Sequence, residues 1–323
     1  MASNLSVYGG MPGQSIAVLR GMGIRTPFGS INFPTSRALY VRSTGHQDGD
    51  PKELITGKNL FLTVAAALDH VRAGLGDQVI CLPGHAETIS TADAWANLKA
   101  GTNIVCWGDG TLRPTFTYSA AAATILFNVA NVHISNAIFY MAGDIASVTA
   151  LTVAAPITVS AAGCGFHGCY FQVGVDGNQI VTKAITGTDA ANHLSFTDCE
   201  FYGATAAECT TVLEILGSND LRMKNTVVQA ATSSTTVGVM RLNATALLGG
   251  LIDGCAFINR KALSVDAVTG VAASAGVCSN TLFGILDTAT LAGWTTKADW
   301  MFHKCTTVNT TGEAGGETST VSA

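Results

Sequence analysis

The chain has 323 residues, a formal net charge of −5 and only 12% charged residues. That length can bury a large core in one elongated domain, and the acidic balance excludes a general nucleic-acid binder. So little charge is lean for a free monomer, which points to an outer surface that faces protein, as in a homotrimer or a larger assembly.

In chain order, residues 1–36 read as an irregular N-terminal arm with turn signals at Gly9-Gly10, Pro12-Gly13 and Pro27. Charge is unevenly placed: Arg20, Arg25, Arg37 and Arg42 all precede the first acid, Asp48. A basic, Gly-rich arm suits an acidic partner surface, so these four arginines are the expected partner-binding residues. The first residues lack the basic start and apolar core of an export signal. Residues 145–166 are uncharged but carry Pro156 and alternating Thr and Ser, which reads as a buried coil rather than a membrane span.

Residues 37–77 hold the expected first strand and a short capping helix. Residues 38–42 read as a strand and 45–50 as a loop. Residues 60–73 read as an amphipathic helix, with Leu60, Val64, Ala67, Leu68 and Val71 on one face and Asn59 as its cap. Gly74 and Gly76 end it. A helix here would plug the open end of a solenoid. Residues 78–82 then form a strand, turned by Pro83-Gly84.

Residues 78–308 carry a repeat. Its copies are 134–139 (ISNAIF), 166–171 (FHGCYF), 196–201 (FTDCEF), 223–228 (MKNTVV) and 252–257 (IDGCAF), with weaker ones at 278–283 (CSNTLF) and 302–307 (FHKCTT). Repeats of this length are stacked units sharing one core. The third position forms a bend ladder of Asn136, Gly168, Asp198, Asn225, Gly254 and Asn280, residues that tolerate the left-handed backbone of a sharp bend. The first, fourth and sixth positions are apolar or small and point inward; the second is polar and points to water. A strand, a bend and a strand per repeat make one coil of a parallel β-helix. Stacked helix pairs are disfavoured by the density of Thr, Val, Gly, Phe and Cys.

A second strand recurs at 181–185, 212–216 and 239–242, which would stack Lys183, Glu214 and Arg241 as exposed alternating charges. The fourth repeat position holds Cys169, Cys199, Cys255 and Cys305, a core ladder of small residues. Cys169 and Cys199 would lie within disulfide reach on adjacent coils, but without an export signal free thiols are expected. Residues 309–323 form a polar tail with no apolar pattern, which composition alone leaves disordered.

The chemistry-bearing residue types give no catalytic constellation. His85 and Glu87 lie two apart on a strand end, so both are expected to face outward and stabilise a bend. Cys164, His167 and Cys169 are the residue types of a zinc site, but the repeat sends Cys169 inward and His167 outward, so no metal is expected. Gly108-Asp109-Gly110 is a turn that lacks the Lys and Ser/Thr of a phosphate loop. Paired carboxylates for glycan hydrolysis need a spacing of ~5–9.5 Å. The best local pair is Asp198 and Glu200, yet Asp198 serves the bend and Glu200 lies level with Tyr170 and Val227, with no acid beside it. Aromatics for sugar stacking are sparse, at 7%. No cofactor and no enzymatic activity are expected.

Three segments resemble a recurrent tailed-bacteriophage family: residues 40–45 (YVRSTG), 82–89 (LPGHAETI) and 108–116 (GDGTLRPTF). The resemblance spans roughly residues 38–260. Cys106-Trp107 replaces the family's usual glycine-and-leucine pair, a change of packing. The resemblance implies a single-stranded right-handed parallel β-helix of pectate-lyase type, encoded among virion genes, and it supplies no catalytic site. The expected fold is therefore all-β, with the capping helix and two extended terminal arms. The expected function is a non-enzymatic virion protein that decorates or cements the capsid as a homotrimer. Its partners would be the major capsid protein and its own copies, with no nucleic acid and no membrane. It would be assembled in the host cytoplasm. A receptor-binding or polysaccharide-degrading tail fibre or spike, with glycan as ligand, is the first alternative. A minor tail or baseplate protein is the second.

Overall fold

The computed structural model describes residues 25–26, 29–30 and 36–309, apart from 48–53, 144–149, 218, 235, 243–246, 262–265, 271–273, 286–292 and 296–298. Most of the expected N-terminal arm, and residues 310–323 of the tail, lie outside the described residues.

The chain winds as a right-handed parallel β-helix, built from three parallel sheets that share one core. Sheet A runs in parallel order from Ala38–Val41 through Gln78–Cys81, Asn103–Cys106, His133–Ser135, Gly165–His167, Ser195–Thr197, Arg222–Lys224, Gly250–Asp253 and Ala275–Ser279 to Asp299–His303. Sheet B begins at Ala86–Ile89 and ends at Thr306–Asn309; sheet C begins at Ile125–Phe127 and ends at Trp294–Thr295.

Register explains the repeat. Its first position is the centre of sheet A, where Ile134, Phe166, Phe196, Met223, Ile252 and Cys278 follow one another in register. Its sixth is the centre of sheet B, where Phe116, Phe139, Phe171, Phe201, Val228, Phe257 and Phe283 do the same. Each of these side chains is at most 2% exposed. Phenylalanine rings stack along sheet B at 5.3, 5.1 and 4.4 Å from Phe116 to Phe201.

Between sheets A and B the chain turns at Asn136, Gly168, Asp198, Asn225, Gly254 and Asn280, whose φ angles lie between 48° and 63°. Each of these residues donates its backbone N–H to a carbonyl of the next coil, at 2.8 to 3.1 Å. Asn225 Nδ2 also donates to Asp198 Oδ1 at 3.1 Å, and Asn136 Nδ2 to the Gly108 carbonyl at 2.8 Å. A second ladder turns the chain into sheet A at Gly74, Gly101, Asn131, Gly163, His193, Asp220 and Gly249, all with positive φ. Sequence reading had not found it.

The capping helix differs from expectation. Leu60–Phe61 is a strand on the free edge of Ala38–Val41, with Tyr40 level with Leu60. The helix is confined to Val64–Leu68, and Thr63 rather than Asn59 caps it, accepting from Ala66 N at 3.2 Å. Asn59 is occupied upstream: Oδ1 accepts from Thr56 N and Nδ2 donates to the Leu54 carbonyl. Pairing Leu60 and Phe61 to the sheet edge satisfies backbone groups that a longer helix would leave open. Val64, Ala67 and Leu68 bury against the first coil and close the core at that end.

Candidate functional site

Of the four expected partner-binding arginines, only Arg37 and Arg42 have described side chains. Arg20 and the side chain of Arg25 lie outside the described residues. Arg37 and Arg42 both belong to the N-terminal end of the solenoid, and the Arg37 side chain is half-exposed there. Arg37 donates its backbone N–H to Asp77 Oδ1 at 2.8 Å and pairs its guanidinium with Asp77 Oδ2 at 3.2 Å and with the His70 carbonyl. Arg72 grips the same carboxylate through Nη2 at 2.7 Å, Nε at 3.0 Å and its backbone N–H at 3.0 Å. Burial pushes the Asp77 carboxyl up, but the hydrogen bonds from Arg72 and Arg37 outweigh it and hold it down at about 2. Arg42 is 7% exposed, too buried to meet a partner, and reaches the Gly45 carbonyl at 3.5 Å.

His85 and Glu87 are also corrected: His85 is buried, and the half-buried Glu87 turns its carboxylate toward it rather than outward. The turn at Gly84, φ 75°, swings His85 inside before strand alternation begins. His85 is 1% exposed. Its Nδ1 accepts from Ser43 N at 3.0 Å, which leaves Nε2 as the donor to Glu87 Oε2 at 3.2 Å. The same Oε2 accepts from Val64 N at 2.7 Å, the first residue of the helix. A shallow cavity of about 360 Å³ opens beside Glu87, lined by Ser43, Leu62, Thr63, Thr88 and Thr91 among others. The imidazole and carboxylate are consumed in joining helix, strand and loop, and among the described residues neither is paired with a second acid.

Lys183, Glu214 and Arg241 do meet, though in a different register and environment from those expected. Arg241 is level with Glu214, but Lys183 is level with Thr211. The flexible Lys183 chain spans the offset and reaches Glu214 Oε2 at 2.5 Å, with Arg241 Nη1 on Oε1 at 3.3 Å. Glu214 is 2% exposed, so this is a buried carboxylate between two half-exposed cations rather than an exposed ladder.

Cys169, Cys199 and Cys255 are buried, Cys305 is half-buried, and all carry free thiols. Burial pushes the Cys255 thiol up to about 11. His167 lies on the outer side of sheet A, 29% exposed and 3.7 Å from Asp198 Oδ2, away from buried Cys169. Among the described residues no cluster of three His, Cys, Asp or Glu could hold a metal ion.

Two surface features were not legible in the sequence. On the outer face of sheet B, Tyr140, Gln172 and Tyr202 are level on successive coils, and Tyr170 lies on the middle strand beside Glu200. Burial, then Glu200, Tyr202 and Tyr140, raise the Tyr170 hydroxyl to about 12, which marks the four groups as neighbours. Gln172 is 5% exposed, and its Oε1 has no hydrogen-bond partner among the described residues. On the outer face of sheet A, Leu251, Val277 and Met301 are level on the last three coils. Leu251 is 45% exposed and Met301 64%, with Leu248 at the nearby corner 52% exposed.

These features sit on a protein of the parallel β-helix class. Solved structures similar to the chain include the pectin methylesterase PemA from Erwinia chrysanthemi, with 12% identity and a TM-score of 0.40 over 87% of this chain and 92% of that one. A pectin methylesterase in complex with a hexasaccharide matches at 12% identity and TM-score 0.38, over the same shares. A third is ORF18 of Geobacillus virus E2, at 12% identity and TM-score 0.28, covering 76% of this chain and 57% of that one. No protein-family model and no curated protein matches the chain. Likeness at this level concerns the fold alone. The expectation that the chain is not an enzyme is corrected to this extent: the similar structures include pectin methylesterases, and they establish no activity for this chain. No phage family is identified by the match to ORF18. Among the described residues no helix is long and apolar enough to cross a membrane.

Proposed function

We propose that the chain is a virion structural protein that decorates or cements a capsid as a homotrimer, with the coil stack as a stiff spacer. The observation that carries this reading is the apolar column of Leu251, Val277 and Met301 on sheet A, flanked by Leu248. Large apolar side chains aligned on one flat face mark a protein-binding surface, and this one belongs to a chain that is only 12% charged. Attachment to the capsid would fall to residues 1–35, where Arg20 and Arg25 stand without a nearby acid. Many weak contacts over a lattice would sum to firm binding.

Light scattering on the purified chain tests the trimer. The wild type is expected to be trimeric, and Leu251→Asp with Met301→Asp to shift it to monomer, because two carboxylates buried at an interface should weaken association by at least ~10-fold. A monomeric wild type would remove the reading. Copy number in purified particles separates roles: hundreds for cement, a few for a minor tail or baseplate protein.

The tyrosine patch favours a second reading, a receptor-binding fibre or spike. A pyranose has an apolar face for ring stacking and a hydroxyl rim, and Tyr140, Tyr170 and Tyr202 surround the amide of Gln172 with Glu200 alongside. Calorimetry with host-surface polysaccharide should then show binding that Tyr170→Ala weakens ~5-fold or more. Absence of heat with every glycan tried would leave the first reading alone.

A further inference from the structure

Cys278 and Cys305 differ from the other thiols. Cys278 is the inward residue of a sheet A strand and is 0% exposed. Cys305 follows the bend of the next coil, where Lys304 takes φ 53°, and is half-buried. Leu282 is level with Thr306, so Cys305 lies above Thr281 and leans across the corner toward Cys278. The two Sγ atoms are 3.7 Å apart, and Cys305 Sγ also lies 3.3 Å from the Cys278 carbonyl oxygen. A disulfide of ~2.05 Å needs less than ~2 Å of closure, a side-chain rotation rather than a backbone shift.

Accessibility sets this pair apart. Cys169 and Cys199 also occupy adjacent coils, but they are 1% and 2% exposed, so no soluble reagent can reach them. Cys305 is half-buried, so a small reagent can approach it, and a buried resolving thiol lies behind it. We propose that Cys278 and Cys305 form a thiol–disulfide exchange site whose co-reactant is a small-molecule disulfide. The contact with Cys278 lowers the Cys305 thiol to about 6 and raises Cys278, so the reachable sulfur is the one that carries thiolate at neutral pH.

The Cys305 thiolate attacks one sulfur of the co-reactant, breaks its S–S bond and expels one thiolate, leaving a mixed disulfide on Cys305. Cys278 then loses its proton and attacks the Cys305 sulfur, expelling the second thiolate. Two protein thiols are oxidised to one disulfide, and one small disulfide is reduced to two thiols, which take up the two protons. The product ties the coil at 299–309 to the one before it. Among the described residues that coil has a strand neighbour on one side only, so it is the one with most to gain from a cross-link. None of this depends on what the chain assembles with.

The test incubates the folded full-length protein with oxidised glutathione at neutral pH, then counts thiols and maps peptides by mass spectrometry. The chain has nine free cysteines. The expected result is the loss of two thiols and of two hydrogen atoms, with a peptide linking Cys278 to Cys305, reversed by dithiothreitol. Cys278→Ser should stop at glutathione held on Cys305, and Cys305→Ser should lose no thiol. Retention of all nine thiols, a link elsewhere, an unresolved glutathione adduct on the wild type, or loss of two thiols in Cys305→Ser would each overturn the proposal. Cys305 is half-buried, so its serine variant serves even where Cys278→Ser fails to fold.

Discussion

Phe171→Ala is expected to destabilise the protein by about 3–5 kcal/mol, the range for deleting a fully buried phenylalanine. Phe171 is 0% exposed and sits mid-column in sheet B. Its ring stacks on Phe139 at 5.1 Å and on Phe201 at 4.4 Å, and meets Phe166 edge-on at 5.6 Å. Each aromatic pair adds roughly 0.5–1.5 kcal/mol beyond area burial. The cavity should stay open, because coil spacing is set by the backbone ladder at ~4.8 Å and the walls cannot close along the axis. A solenoid passes stability through nearest-neighbour contacts, so the loss should also uncouple the coils on either side. Phe257→Ala should cost less: among the described residues its ring partner is Phe283, 6.0 Å away. The check is the guanidinium midpoint of each variant together with the breadth of the transition. If Phe171→Ala cost under ~1 kcal/mol, or no more than Phe257→Ala, the stacked column would not be what holds adjacent coils together.

Much of the coil was legible because its demands are local. A bend with φ near 55° admits few residues, so Asn136, Gly168, Asp198, Asn225, Gly254 and Asn280 announce themselves. The apolar positions around them then have to be the centres of two sheets. The corner into sheet A was hidden because His193 and Asp220 share it with Gly74, Gly101, Asn131, Gly163 and Gly249, and no constant flanking pattern accompanies them. The helix was overextended because Leu60, Val64, Ala67, Leu68 and Val71 fit a helical stripe, while the free edge of Ala38–Val41 claims Leu60 and Phe61 for pairing. Long-range partners were the least visible. Nothing near Arg37 in sequence shows that Asp77, forty residues on, will bind it. The tyrosine patch and the apolar column each need the register between coils, which small changes in repeat length obscure.

Asp77 gives the second large effect, and it should depend on pH. Its carboxylate is 1% exposed and joins Arg37, Arg72 and the backbone N–H groups of both. Asp77→Ala leaves those donors facing an empty site, at an expected cost of about 3 kcal/mol. The folded carboxyl titrates at about 2, below the ordinary 3.8. A depressed acid contributes stability that is fully present above the unfolded value and is lost as pH falls through the folded one. For Asp77 that window runs from about pH 4 down to 2, and the shift corresponds to about 2 kcal/mol. The wild type should therefore lose stability across this window more steeply than Asp77→Ala, and the gap between their melting temperatures should narrow from pH 6 to pH 2.5. Hydrogen exchange should place the damage at one end. Arg37 precedes Ala38–Val41 and Arg72 follows the helix, so losing their common anchor releases the cap before any distant coil. Equal acid sensitivity of the two proteins, or faster exchange spread evenly along the solenoid, would mean that the carboxylate does not fasten the cap to the first coil.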